Sequence, residues 1–474
     1  MKSVDATSLA DESQPLRAIR CRERLVLLST SLAVFAVFLD TTIGFVTFQA
    51  IGRTFPASPS TLSWVLNAYT LVFGALLIPA GRLADRIGRR RVFLIGVVVF
   101  TIGSMACGLA PSLGLLIAAE TLEAVGAALL IPASLALLLH SFDASRIPVV
   151  VAIWGAISAS AGAAGPPLGA FLVGHLSWRW AFFINLPVGI FSFILGRRVL
   201  AESREATATR LPDAATVGLM AVGMASITLA IVQTGTWGWF DARTIAAFVL
   251  GVALLCVFVA RARRIPNPVL RLELFHNRNF SWASIAALVF AIGFNAMFLG
   301  NVLFLTTVWH YSIERAGVAI ALGPAIVALT ASRFGRLAGR IGQRALLIPG
   351  GIVYGTSGLV LLALVGTRPS YLTEYLPAVV LSALGVAMCF PQFSSAAAAT
   401  LPADQYGSGS AVVQATRYLG GSFGIALVIA FTGAHAGLSG FHRVWILIAV
   451  VGLTVSIAST QLTRRTITTT PKAT

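Results

Sequence analysis

Apolar residues run along this chain in blocks of about twenty or more, separated by short polar clusters rich in Gly, Pro and Arg. A helix needs ~20 apolar residues to cross the hydrocarbon core of a bilayer, whereas a buried strand needs only a short block and a soluble helix only a stripe. Counted against that length, the pattern predicts fourteen spans over 25–50, 62–83, 91–110, 112–139, 147–174, 180–200, 212–234, 243–261, 279–308, 316–333, 344–366, 374–401, 408–433 and 441–461. The expected fold class is therefore an all-α integral membrane protein. Because the number is even, the tails at 1–24 and 462–474 fall on one side.

Composition agrees with that reading and removes an alternative. The chain is 57% hydrophobic and 11% charged, with a mean hydropathy of +0.87, far outside soluble averages. Its net charge of +17 would suit nucleic acid if Lys and Arg lined a groove interleaved with aromatics, but they stand at the ends of the apolar blocks. The expected partner surface is a lipid bilayer, with no nucleic acid. Of 34 Lys and Arg, six (Arg53, Arg179, Arg243, Arg315, Arg368, Arg443) fall on the side opposite the tails, Arg417 lies within a span, and the other 27 lie on the tail side. Basic residues are retained in the cytoplasm during insertion, so both termini are expected there, in a multi-pass protein of the cell membrane. The apolar run that follows the Arg-rich start is too long for a cleaved signal.

Cys21, Cys107, Cys256 and Cys389 are mutually remote, and the three inside apolar runs read as small buried hydrophobes rather than a disulfide framework. His140, His175, His276, His310, His435 and His442 lie near span ends or in loops without ligand spacing. Neither a metal nor a cofactor is expected.

The stretch that orients everything else is 81–91, five arginines in eleven residues between spans 2 and 3. Gly81 and Gly88 allow a tight corner, and Asp85 is placed to accept hydrogen bonds from the next helix start or from Arg86 and Arg89. Residues 335–344 echo this stretch about 254 positions later, again after the second span of a block of six, with Gly339 where Asp85 stood. Spans 1–6 (residues 25–200) and 9–14 (within 265–461, after a cytosolic linker) then read as related six-helix bundles, with an inserted helix pair in 201–264. Two such bundles around a cavity are the architecture of alternating access.

Three of the 17 acidic residues, Asp40, Glu120 and Glu123, sit well inside a span. A carboxylate there costs several kcal/mol when charged and usually marks an ion or substrate path. Glu120 and Glu123, at i and i+3, share a helix face. At ~1.5 Å rise per residue Asp40 lies ~22 Å from the start of its span, and Glu120 and Glu123 lie ~12 Å and ~17 Å into an oppositely running one, so all three reach a similar depth. Arg417 is the one cation at that depth; it reads as the partner of a carboxylate or of an anionic substrate group, or as a structural arginine held by carbonyls. Gly165, Pro166 and Pro167 should interrupt span 5 and permit close helix contact. Phe45, Phe48, Trp154, Phe294, Phe298 and Trp309 are candidates for a greasy cavity wall or for packing.

These features resemble the major facilitator superfamily. The segment Gly81, Arg82, Asp85, Arg86, Gly88, Arg89, Arg90 is similar to its cytoplasmic signature loop, and Gly165-Pro166-Pro167-Leu168-Gly169 to the Gly-Pro motif of its antiporters. Leu39-Asp40-Thr41-Thr42-Ile43 and Phe182-Phe183-Ile184-Asn185-Leu186-Pro187-Val188-Gly189 resemble its fourteen-span drug/proton antiporters. The chain departs from that group at Phe45 and Gln49, where Asn and Pro are usual, and at Glu120 and Glu123, which occupy the region of an Arg-x-x-Gln-Gly pattern.

The resemblance implies spans 1 and 4 bordering a central cavity. Carboxylates ~4–6 Å apart at low dielectric cannot all be charged, so Asp40 and Glu120 are expected to form a coupled proton site, with Glu123 drawing in a cationic group. The function expected is export of small hydrophobic, cationic molecules in exchange for protons, by a monomer. The alternatives are export of a specific lipid or metabolite on the same fold, or an intramembrane enzyme, for which no nucleophile–base set or metal cluster stands at depth.

Overall fold

A computed structural model describes the chain apart from residues 1–5, 144–145, 205–212, 266–271, 403–405, 434–436 and 464–474. Most of the expected C-terminal tail, His435 and part of the linker thus lie outside the described residues, as does the side chain of Cys21. Among those described there is no strand, and fourteen helices are long and apolar enough to cross a membrane. They are α1 (Ala6–Thr54), α2 (Pro59–Ile87), α3 (Arg89–Leu109), α4 (Leu113–Ser141), α5 (Ile147–His175), α6 (Trp180–Val199) and α7 (Ala214–Trp237), followed by α8 (Ala242–Ala262), α9 (Arg278–Thr307), α10 (Ile313–Ile341), α11 (Gln343–Leu364), α12 (Tyr371–Ala398), α13 (Tyr406–Thr432) and α14 (Leu438–Thr460).

The helices overrun the apolar blocks because their ends are set by caps. The side chains of Ser58, Ser112, Asp213, Asp241, Asn277 and Ser312 accept backbone N–H groups at helix starts. The stretch 81–91 is accordingly not a loop: α2 continues to Ile87, and Gly88 alone leaves the helix, at φ 122°. Only glycine adopts that conformation cheaply. Gly81 is helical and faces Pro132 of α4. Residues from Ala6 also continue helically into α1 instead of forming a separate tail.

Two other expectations change. Pro166 and Pro167 lie inside an unbroken α5, since the proline ring itself suits helical φ and only the local ladder bonds are lost. Cys107 and Cys389 are buried, but Cys256 is exposed, on the outer side of the α7–α8 pair.

Six helices form each bundle. In the first, α1 packs on α4, α5 and α6, and α4 on α2 and α3; in the second, α9 packs on α13 and α14, and α12 on α10 and α11. Gly88 and Gly342, 254 residues apart, take the same left-handed turn at φ 122° and 92°. The bundles meet through α2 with α13 and α5 with α10, contacts that exchange under the repeat. The pair α7–α8 lies against α2 and α13, where Thr228, Ser422 and Asn67 form a buried chain of hydrogen bonds at 3.0 and 3.2 Å. Lipid supplies little hydrophobic drive between helices, so small residues and such polar contacts hold them together.

The two membrane faces differ. On the face away from Gly88, a Cβ at Gly317 of α10 would lie 2.9 Å from the Pro166 carbonyl oxygen and collide with Ala170, so α5 and α10 touch backbone to backbone. Phe45 of α1 meets Phe298 of α9 there at 5.2 Å between ring centroids. Toward the Gly88 face the helices part: between Ser332 and Ile341 only Phe334 and Ala338 are not exposed, and Gly155 and Gly335 border open space. The molecule is closed at the far face and parted at the arginine-rich one.

Candidate functional site

The centre of the first bundle holds the three deep acids. One carboxylate oxygen each from Asp40 on α1 and from Glu120 and Glu123 on α4 lie within 4.8 Å of one another. All three are buried, at 7%, 5% and 0% exposure. Local sequence makes this approach possible: a Cβ at Gly103 of α3 would fall 2.7 Å from the Glu123 backbone nitrogen, so α3 and α4 cross with no side chain between them. On the other flank Gly165 of α5 presses directly on Thr42, beside Asp40.

Hydrogen bonding sorts the three. Asn185 of α6 donates through Nδ2 to Asp40 Oδ1 and to Ser104 Oγ, both at 3.0 Å, and Ser104 donates to the Phe182 carbonyl at 3.0 Å. The Cys107 thiol donates to Glu123 Oε2 at 3.4 Å, while Glu123 Oε1 and Asn185 Oδ1 are buried without partners. Asp40 and Glu120, with Tyr69, Thr70 and Phe45, line a cavity of about 20 Å³, room for roughly one water. Glu123 stands behind that wall.

The five ion pairs among the described residues all lie near helix ends, and none includes the triad. Two carboxylates ~4.8 Å apart repel by about 3–4 kcal/mol even at an effective dielectric of 20. Three carboxylates this close at low dielectric cannot all carry their charge at once. Its donor set is carboxylate alone, suited to protons and hard positive groups and not to soft transition metals.

Arg417 stands on the opposite bundle. Its Nη1 donates to Gln414 Oε1 at 2.7 Å and its guanidinium carbon lies 3.5 Å from the centroid of the Phe390 ring. It pairs with no carboxylate among the described residues, so the protein acid weighed as its partner is absent in this conformation.

The arginine corner binds its own bundle. Arg89 pairs with Asp85 at 2.9 Å and gives its backbone N–H to the Ser203 carbonyl at 3.0 Å. Arg90 reaches the Arg197 carbonyl at 2.8 Å and Glu202 Oε1 through its backbone N–H at 3.1 Å, and Arg91 approaches Glu202 at 3.9 Å. Asp85 thus accepts from Arg89, whereas Arg86 is exposed. Arg82 is half-buried on the preceding turn.

The aromatic candidates divide. Phe45 lines the cavity and Phe294 is half-buried, whereas Phe48, Phe298 and Trp309 pack in the core and Trp154 bonds to Ser134. Sequence reasoning gave no role to Asn185, Ser104 or Tyr69, and read Cys107 only as a small buried hydrophobe, without its bond to Glu123. Asn185 lay in the quoted span 6 segment, which was the only available signal.

A family model for the Major Facilitator Superfamily matches residues 30–425. The chain is 33% identical over 407 residues to Multidrug resistance protein Stp of Mycobacterium tuberculosis (strain CDC 1551 / Oshkosh), covering 85% of this chain and 75% of that protein. It is 32% identical to Puromycin resistance protein pur8 of Streptomyces alboniger, over 86% and 82% of the two chains. Against Cephamycin export protein CmcT of Amycolatopsis lactamdurans it is 33% identical over 86% and 84%. Among solved structures it resembles a peptide transporter POT in complex with sulfate (TM-score 0.64, 17% identity, 93% and 95% covered) and a D-xylose-proton symporter (TM-score 0.64, 14%, 92% and 96%). At those identities the structures speak for the fold alone.

Proposed function

The chain belongs to the major facilitator superfamily, and from that premise we propose that it exports small hydrophobic antibiotics and related compounds in exchange for protons. The observation that carries the reading is the triad of Asp40, Glu120 and Glu123, three buried carboxylates with no ion-pair partner among the described residues, beside a cavity at the bundle interface. The relatives named for multidrug resistance, puromycin resistance and cephamycin export supply the substrate class.

With the arginine-rich face and both termini taken as cytoplasmic, the parted face admits a substrate from the cytoplasm or inner leaflet. Its positive or polar group meets Asp40 and Glu120, which line the cavity, and the arriving charge displaces protons toward the cytoplasm. Glu123, walled off behind them, adds negative field without touching the substrate. A cavity with room for about one water cannot hold a drug-sized molecule, so binding requires the walls to move. Opening the far face then separates α5 from α10 at Gly317 and Phe45 from Phe298, releasing substrate and exposing the triad to external protons, which reload it. Asp85, Arg89 and Glu202 set the corner that must close when the far face opens. One chain contains both bundles and the whole triad, so the working unit is a monomer.

The test is drug-dependent proton movement in proteoliposomes across a chemically diverse panel. Export that neither consumes a proton gradient nor releases protons ends the coupling claim. For topology, a reporter active only outside the cell, fused after residue 474, is expected to give no signal.

A further inference from the structure

We propose that the preferred cargo carries an anionic group as well as a cationic one, and that Arg417 is where the anion docks. This deepens the exporter reading and rests on it. An arginine at mid-membrane is costly unless its charge is compensated. Arg417 begins about 16 Å along α13, is half-buried, and meets one neutral amide oxygen and one ring. A guanidinium offers five N–H donors in a planar fork that matches a carboxylate or sulfonate two bonds at a time. Gln414 and Phe390 hold that fork in place and leave its charge unmatched.

Aromatic side chains connect Arg417 to the acid cavity. Phe390 touches Phe294 at 5.4 Å between centroids, Phe294 touches Phe298 at 5.7 Å, and Phe298 touches Phe45, which lines the acid cavity. A second run leads the same way: Tyr418, next to Arg417, packs on Phe73 at 4.2 Å, and Phe73 on Tyr69 at 6.0 Å, with Tyr69 in the cavity wall. Two continuous runs of touching rings thus connect the base on one bundle with the wall of the acid cavity on the other. The base is also firmly mounted, since a Cβ at Gly420 would lie 2.7 Å from the Leu288 carbonyl oxygen, which seats α13 directly on α9. A zwitterionic aromatic compound satisfies both ends at once, and in doing so draws the bundles together.

The experiment compares two probes with the same rings and amine, a zwitterionic fluoroquinolone and its carboxyl methyl ester, binding to purified protein in nanodiscs without any ion gradient. The wild type is expected to bind the zwitterion about tenfold more tightly, as one charge-assisted bidentate contact allows. Arg417→Gln should abolish that preference by weakening only the zwitterion, and Arg417→Lys should keep part of it. Equal binding of the two probes by the wild type, binding of neither, or an equal loss of both in Arg417→Gln overturns the proposal. Asp40→Asn should retain the preference, so loss of proton coupling and loss of anion docking are told apart.

Discussion

The two bundles repeat one another in their helix contacts and in their glycine corners, yet carry opposite chemistry at mid-depth. The 254-residue offset that places Gly88 on Gly342 carries Asp40 onto Phe294. Where the first bundle gathers three carboxylates, the second presents aromatic rings and, on α13, Arg417. Even the corners diverge: Arg90 and Arg344 each bond a carbonyl at or just past the end of their bundle's last helix, but Asp85, which holds Arg89, is replaced by Gly339. A symmetric scaffold lets the two halves rock against each other, while the buried carboxylates are confined to one of them. The acids of the first half depend on α3 and α4 crossing without a side chain between them.

That asymmetry can be broken at several strengths. The largest effect is expected from Gly103→Leu, which must push α3 off the Glu123 backbone; overpacking of this kind costs about 1–3 kcal/mol or more. Yield and thermal stability in detergent should fall sharply, whereas the same change at Gly335, which borders open space, should leave both unchanged. Next comes Asn185→Ala, which removes the donor to Asp40 and strands the Ser104 hydroxyl as acceptor. A lost hydrogen bond to a charged group is worth about 1.5–3 kcal/mol, so transport should drop roughly tenfold or more with folding retained. Unchanged transport would remove Asn185 from the site.

A smaller change is expected at the corner. Glu202→Gln weakens its hold on Arg90 and Arg91, and Asp85→Asn releases Arg89; each should change transport a few-fold and alter cysteine labelling on both membrane faces. Full activity with an unchanged labelling pattern would remove the corner from gating.

The smallest effect concerns the latch of the α7–α8 pair, outside both bundles. The Arg261 guanidinium, bonded at 2.7 Å, together with Thr216, pulls the Asp213 carboxyl down to about 2. A carboxyl depressed by its partners contributes stability that is present above its unfolded value near 4 and lost as pH falls through the folded one. Hydrogen exchange at the start of α7 should thus be unaffected between pH 7 and pH 5 by titration of this group, and rise only in strong acid. Asp213→Asn should raise it modestly at neutral pH, since exposed pairs are weak.

The fold was legible because bilayer thickness imposes a length that the apolar blocks obey, and all fourteen spans appear as helices. Their ends were not, because caps such as Asp241 and Asn277 and the φ of Gly88 lie outside the hydrophobic signal. Asp40, Glu120 and Glu123 could be found as charges in apolar runs, and their matching depth followed from helical rise. Asn185 and Ser104 could not, since neutral polar residues are common in spans and their bonds to the site join positions 145 and 81 apart in sequence. Arg417 was visible as a lone cation, but its neighbours, Gln414 one turn back and Phe390 from another helix, needed the tertiary structure.

The central claim is that the acid half couples protons to cargo. It is tested most directly by adding an exported drug to proteoliposomes under a fixed pH gradient and recording proton release for the wild type, Asp40→Asn and Glu120→Gln. The account predicts release in the wild type and none in either variant, with drug binding still measurable; drug-driven proton release of wild-type size in both variants would contradict it.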